Sequence, residues 1–311
     1  MKTSRLILIA ILVAAGLAAL KSVVANRGRS VVAYCAQDQT YAGPIFREFQ
    51  RQTGIKVRAV YDSEAVKTVG LANRLLAERR HPQCDVFWGN EELRTRQLAA
   101  AGVFRETNGW GAFGYRSRRI VINTNRLSLA AAPRSLLELT NEAWRGKVAL
   151  AYPQFGTTAT YFHALRQAWG DARWQAWCRA LAANQPLLFD GNSVVVRMVG
   201  RGEAPVGLTD SDDIAVGQAD GLPVASLPMT EEALLIPNTV GVTRGAPHPK
   251  AAQRLFDYLQ SREVVQRLVS VNALEGLAAD EVATPTLRVN WDALLRELDR
   301  TTTELSGIFL R

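Results

Sequence analysis

Three carboxylates fall within four residues at Asp210, Asp212 and Asp213, the densest acidic group in the chain. Crowded like charges repel one another unless a cation, an ammonium group or a set of donors compensates them. Such a cluster could hold a hard metal ion or the cationic part of a ligand, or it could be a solvated turn with one Asp capping the next helix. Two other stretches carry the opposite chemistry. Gly156-Thr157-Thr158 and Gly191-Asn192-Ser193 each combine backbone N–H groups with hydroxyl or amide donors, the equipment of a helix start that takes phosphate, sulfate or carboxylate. Taken singly, Thr157, Ser193 and Asn90 read as plain helix N-caps. Their number is what points to a ligand.

All of these stretches stand where a strand would end. The full series of polar strand ends is Gln37-Asp38, Ser63-Glu64, Asn90-Glu91, Gly156-Thr157-Thr158, Asn192-Ser193 and Asp210 with Asp212-Asp213. Ligands of open parallel sheets bind beyond the carboxyl ends of the strands, which makes these the candidate ligand-binding residues. Arg116, Arg118 and Arg119 add charge nearby; on a strand Arg116 and Arg118 share one face and Arg119 takes the other. They could reach into a cleft or simply solvate an exposed strand. Of the rings near strand ends, Tyr61, Trp88 and Phe155 could stack on a sugar or belong to the core.

The elements needed to position these residues follow from hydrophobic periodicity. Ser30–Cys35, Ile55–Tyr61 and Cys84–Trp88 read as strands, separated by helices over 43–53, 63–80 (capped by Ser63) and 91–101 (capped by Asn90). This alternation predicts a parallel sheet with right-handed crossovers. Tyr115–Asn123 is longer and charged, suited to crossing between two domains. A second α/β series follows, with strands at 148–151, 186–189 and 205–209 and helices at 157–169, 174–184 and 192–200. Leu234–Thr243 is the candidate second crossing, and helices over 248–259, 262–269 and 291–299 complete the set. The expected fold is α/β with two lobes, each a mostly parallel sheet flanked by helices, joined by two extended hinge crossings. The first lobe would comprise 26–114 and 237–280, the second 115–236 and 281–311.

Composition narrows the function. At 311 residues and 48% hydrophobic, the chain is long enough for two such lobes. Three cysteines, at 35, 84 and 178, with no C-x-x-C pair argue against a four-ligand zinc site, and no disulfide is expected to be needed for folding. His81, His163 and His248 never form H-E-x-x-H, and neither a P-loop nor a G-x-S-x-G motif occurs. A secreted hydrolase would need a nucleophile–base pair, and none is visible. Lys2 and Arg5 precede the apolar run Leu6–Leu20, too short for the ~30 Å hydrocarbon core. Residues 1–25 therefore read as a secretory signal cleaved after Ala25, with an uncleaved N-terminal anchor as the alternative. Removing them lowers the net charge from +8 to +5, too little to argue for nucleic acid.

The order and spacing of several stretches resemble the periplasmic ferric-iron-type solute-binding proteins of ABC importers, which have the type II periplasmic-binding fold. The stretches are VVAYCAQDQTYAGPIFREFQRQTGIKV, CDVFWGNEELRTRQLAAAGVF, YRSRRIVINTN, LTNEAWRGKVALAYPQFGTTAT, GNSVVVRMVGRGEAPVGLTDSDD and IPNTVGVTRGAPHPKAAQRLFDYL. The resemblance implies a monomeric, non-enzymatic protein whose lobes close on a small ligand and pass it to a membrane permease with its ATPase. A subunit presenting ligand to a membrane receptor is the alternative. In iron-binding members two adjacent tyrosines ligate Fe³⁺; here the matching positions read Asp212-Asp213, and a histidine after the first strand is replaced by Gln37 or Asp38. The family's acidic ligand matches Glu91, so the implied metal set is Glu91, Asp212 and Asp213. Its synergistic-anion contacts match Gly156, Thr157, Thr158, Asn192 and Ser193. No cofactor is required; the implied cargo is Fe³⁺ with a synergistic anion, or a phosphonate-like anion bearing an amine.

Overall fold

A computed structural model describes residues 30–61, 67–279, 282–283 and 286–310. The signal reading of residues 1–25 and the candidates Ser63 and Glu64 lie outside the described residues. Strands β1 (Ser30–Cys35), β2 (Lys56–Tyr61) and β3 (Val86–Gly89) alternate with helices α1 (Gln39–Thr53), α2 (Lys67–Ala77) and α3 (Glu92–Ala100). β1 pairs in parallel with both β2 and β3. Strand β4 (Trp110–Asn123) follows. Then come β5 (Val148–Ala151), α4 (Gly156–Trp169), α5 (Asp171–Ala183), β6 (Leu187–Phe189), α6 (Asn192–Gly200), β7 (Val206–Asp210) and α7 (Ser211–Ala219). The rest of the chain forms β8 (Val224–Ser226), β9 (Leu235–Val242), α8 (Pro249–Leu259), α9 (Arg262–Ser270), α10 (Trp291–Arg296) and α11 (Leu298–Phe309).

Strand order across the sheet is β2-β1-β3-β9-β4-β7-β5-β6, with β8 also on β4. Two strands make the connection between its halves. The first part of β4 pairs antiparallel with β9, while Arg118–Ile122 pairs antiparallel with β7. The register shifts between Phe113 and Arg116, at Gly114. Gly114 has φ +55°, and a Cβ there would come within 2.4 Å of the Leu274 side chain, so a larger residue would be strained and obstructed. This bulge sets the direction in which Arg116 leaves the strand.

β3, β5 and β7 are buried along their whole length, as expected of strands covered on both faces. Two apolar clusters draw on residues 31–113 and 240–277, around Phe46, Trp88 and Leu255 on one face and Tyr34, Phe87 and Leu98 on the other. Two more draw on 120–309, around Phe162, Trp177 and Leu208 and around Val121, Val195 and Ile214. Leu93 of α3 is the exception, since it joins the Phe162 cluster. Among the described residues no helix is long and apolar enough to cross a membrane. Cys35, Cys84 and Cys178 are all buried, and none of them is in a disulfide among the described residues.

Several element limits differ from the sequence reading. α1 begins at Gln39 instead of Gly43 and carries Pro44 inside; the N–H that Pro44 lacks would have bonded only the carbonyl of exposed Thr40. α3 is capped by Glu91, not Asn90, because the Glu91 carboxylate accepts from the Arg94 N–H. The single helix expected over 291–299 is two helices broken at Glu297. β8, only three residues long, left no periodic signal.

Candidate functional site

Polar strand ends from both halves of the sheet converge on one small cleft. Gln37 and Asp38 come from the end of β1, Thr68 from α2, and Asn90 from the end of β3. Tyr152, Phe155, Gly156, Thr157 and Thr158 follow β5; Asp190, Gly191 and Asn192 follow β6; Asp210, Asp212 and Asp213 end β7 and open α7; Arg116 enters from β4. The cavity measures about 60 Å³, room for about two waters at ~30 Å³ each. That is the size of a bare ion or a small oxyanion. A larger cavity of about 320 Å³, lined by Ile120, Leu136, Leu208 and Leu227, lies elsewhere and is mostly apolar; Arg118 borders it.

Ligand oxygens of Asp210, Asp212 and Asp213 lie within 4.8 Å of one another. Two arginines from β4 compensate them. Arg118 Nη1 pairs with Asp210 Oδ1 at 2.7 Å, and Arg116 Nη1 pairs with Asp212 Oδ2 at 3.1 Å. Both guanidiniums are buried on the same face of the strand, whereas Arg119 turns the other way to bind Glu275 and Ser117. The alternation is as read from sequence. Their burial overturns the reading of solvating arginines.

The side-chain donors of Thr157, Thr158 and Asn192, expected to hold an anion from outside, are engaged from within. Thr157 Oγ1 donates to Asp210 Oδ2 at 2.5 Å, and Asn192 Nδ2 donates to the same oxygen at 3.1 Å. Thr158 Oγ1 donates to Asn192 Oδ1 at 3.2 Å, and Arg118 Nη1 donates to it at 3.0 Å. Asp210 thus fills the cradle where an oxyanion would sit. Ser193 is half-buried in the first turn of α6 and does not line the cleft.

Glu91 also needs correction. It is fully buried and caps α3, and its Oε2 accepts from Thr160 Oγ1 at 2.9 Å. Burial raises its pKa, against the pull of Arg94 and Thr160. The carboxylate is already used, and among the described residues it stands apart from the Asp210–Asp213 group, so it is not one ligand set with Asp212 and Asp213.

Asp212 is different. Burial pushes its carboxyl up to about 6, Arg116 draws it down, and Asp210 and Asp38 raise it further. Its Oδ2 faces Arg116, while its buried Oδ1 has no hydrogen-bond partner. Burial also pushes the Tyr41 phenol up, and Asp212, Asp213 and Asp38 add to the effect. The Tyr41 phenol is thus within electrostatic reach of the acidic cluster, and Tyr152 lines the cleft, which the residues adjacent to Asp212 did not reveal. Tyr41 lies one turn beyond Asp38, and that helical spacing is the signal that could have found it.

The model of the bacterial extracellular solute-binding protein family matches residues 31–270. Over 218 residues the chain is 28% identical to the Fe(3+)-binding periplasmic protein of Serratia marcescens, covering 64% of this chain and 62% of that one. It is 27% identical over 219 residues to the major ferric iron-binding protein of Neisseria meningitidis, covering 64% and 63%. The chain thus matches somewhat under two thirds of the length of these relatives. Among solved structures, iron-bound HitA of Pseudomonas aeruginosa superposes with a TM-score of 0.78 at 19% identity, covering 90% of this chain and 99% of that one. AfuA of Actinobacillus pleuropneumoniae with bound fructose-6-phosphate superposes with a TM-score of 0.76 at 18% identity, covering 90% and 98%. At these identities the likeness is one of fold.

Proposed function

Because the chain belongs to the bacterial extracellular solute-binding proteins, we propose that it captures a multivalent cation between two lobes outside the cytoplasm and delivers it to an ABC permease with its ATPase. The lobes would be 26–114 with 237–280 and 115–236 with 281–311. Ferric iron is the first candidate cargo, since relatives of 27–28% identity are named for it. The observation that carries this reading is the buried, unpartnered Oδ1 of Asp212 in a cleft with an excess of negative charge. Among the described residues, Asp38, Asp190, Asp210, Asp212 and Asp213 bring five carboxylates against the two guanidiniums of Arg116 and Arg118, which leaves three negative charges. A cation relieves that excess; a phosphate or phosphonate group adds to it. Hard cations prefer oxygen ligands, and Asp212 and Asp213, with Tyr41 or Tyr152, supply them.

This reading departs from an anion-centred one because Asp210 already engages the Thr157 and Asn192 donors. Calorimetric titration with ferric citrate, phosphate and 2-aminoethylphosphonate tests it. Saturable binding of iron and none of phosphate is the expected result. Tight binding of the aminophosphonate with no uptake of iron would instead make the carboxylates an ammonium site.

A further inference from the structure

Arg116 is an unusual neighbour for a cation site. Its side chain is 5% exposed, leaves β4 just past the bulge at Gly114, and ends against Asp212. Nη2 donates to Gln37 Oε1 at 3.0 Å and to Asn238 Oδ1. Both of these anchors are neutral, so among the described residues the carboxylates that balance the positive charge lie on the side of the acidic cluster. Asp212 is the nearest carboxylate there, with Asp210, Asp213 and Asp38 behind it. A guanidinium stays protonated in proteins whatever surrounds it. The guanidinium is therefore a permanent cation fixed beside the oxygens that would take the cargo.

We infer that Arg116 is a specificity-determining residue, an internal counter-cation that sets how much positive charge the cleft accepts. The inference rests on the cation reading of the cleft. Arg116 occupies Asp212 Oδ2 and leaves Oδ1 for a ligand. A cation bound at Oδ1 is repelled by the guanidinium in proportion to its own charge, so a trivalent ion is penalised more than a divalent one. In the empty protein the same group neutralises Asp212, which keeps the buried carboxylate tolerable without cargo. Removing the positive charge should tighten cation binding. A purely structural residue would do the reverse.

The test is titration of manganese(II) chloride and ferric citrate into the wild type, Arg116→Gln, Arg116→Lys and Asn238→Asp. The expected result is tenfold or tighter binding of manganese(II) by Arg116→Gln, with a larger gain for iron, and no such gain in Arg116→Lys, which keeps the charge. Asn238→Asp leaves the guanidinium in place and neutralises it from the side away from the cluster, so it should tighten binding as well. That variant serves if Arg116→Gln does not fold. If the wild type binds cations and neither neutralised variant binds them more tightly, the role of Arg116 is refuted and the cargo reading stands. If the wild type binds neither metal, the cargo reading falls and the inference falls with it.

Discussion

Glu91 Oε2 accepts the Thr160 hydroxyl at 2.9 Å, tying the start of α3 after β3 to the second turn of α4 after β5. The connection does not stand alone. Leu93, two residues on, joins the apolar cluster around Phe162, and the Arg96 guanidinium lies over the rings of both Trp110 and Trp291, at 5.1 and 5.6 Å. One side of the cleft is thus fastened by a buried hydrogen bond, an apolar plug and a cation held between rings. Glu91 is engaged in this fastening and in capping α3.

The tie predicts the phenotype of Thr160→Val. Valine keeps the volume and leaves the Glu91 carboxylate one donor short, at a cost of about 1.5–3 kcal/mol. If the two lobes meet here only when closed, that cost falls on closure and cargo affinity drops roughly tenfold or more, with the melting temperature of the cargo-free protein little changed. Calorimetry together with thermal melts separates the cases. A lower melting temperature with unchanged affinity would mean that the contact is permanent and does not report closure.

Asp213→Asn is the cleaner probe of the acidic cluster. Asp212→Asn strips the buried Arg116 of its ion pair and so mixes a stability loss with a binding loss. Asp213 is only half-buried, and its replacement should leave the fold intact while removing one anionic ligand. Cation affinity should fall tenfold or more. Unchanged titrations in Asp213→Asn and in the double variant with Asp212→Asn would show that these residues only open α7.

Cargo affinity and intrinsic stability should respond to pH in opposite directions. The Asp212 carboxyl, held up to about 6 by burial, is higher in the folded chain than in the unfolded one. Its contribution to stability is therefore fully present below the ordinary Asp range and is lost as pH rises through 6. A cation competes with the same proton, so it binds more weakly as pH falls through 6, by roughly tenfold at pH 5 relative to pH 7.5. Arg116, Asp210, Asp38 and Asp213 face this carboxyl and fix where the midpoint lies. Manganese(II) titrations across that range should show the slope, and a flat profile would place cargo away from Asp212.

How much of this was legible beforehand depends on whether a feature is local. Strand ends and helix starts follow from periodicity over a few residues, and they located Gln37, Asp38, Asn90, Thr157, Asn192 and Asp212 at one cleft. Alternation along β4 likewise put Arg116 and Arg118 on one face. What each donor binds was not local. Asp210 meets Thr157 across 53 positions and Arg118 across 92, and no spacing rule says that a carboxylate from β7 will fill a cradle built by α4 and α6. Glu91 was misplaced for the same reason, its partner Thr160 lying 69 residues away. The bulge at Gly114 decides where Arg116 points, and a glycine just ahead of the strand read at 115–123 announced neither the bulge nor its direction.

The Asp210 cradle allows a test that needs no cargo at all. Arg118 Nη1, Thr157 Oγ1 and Asn192 Nδ2 all reach the Asp210 carboxylate, and Arg118 is completely buried. Asp210→Ala leaves that guanidinium without its counter-charge, and breaking a buried pair in this way costs about 3–5 kcal/mol. The melting temperature should fall accordingly. The vacated space keeps its three donors and one positive charge, which is a site for an external oxyanion. Phosphate added to Asp210→Ala should therefore raise the melting temperature with increasing concentration, as binding to the folded state requires, whereas the wild type should gain nothing specific from it. Chloride at matched ionic strength controls for screening. If phosphate and chloride act alike on the variant, or if phosphate stabilises both proteins equally, then Asp210 is not standing in the place of an anion.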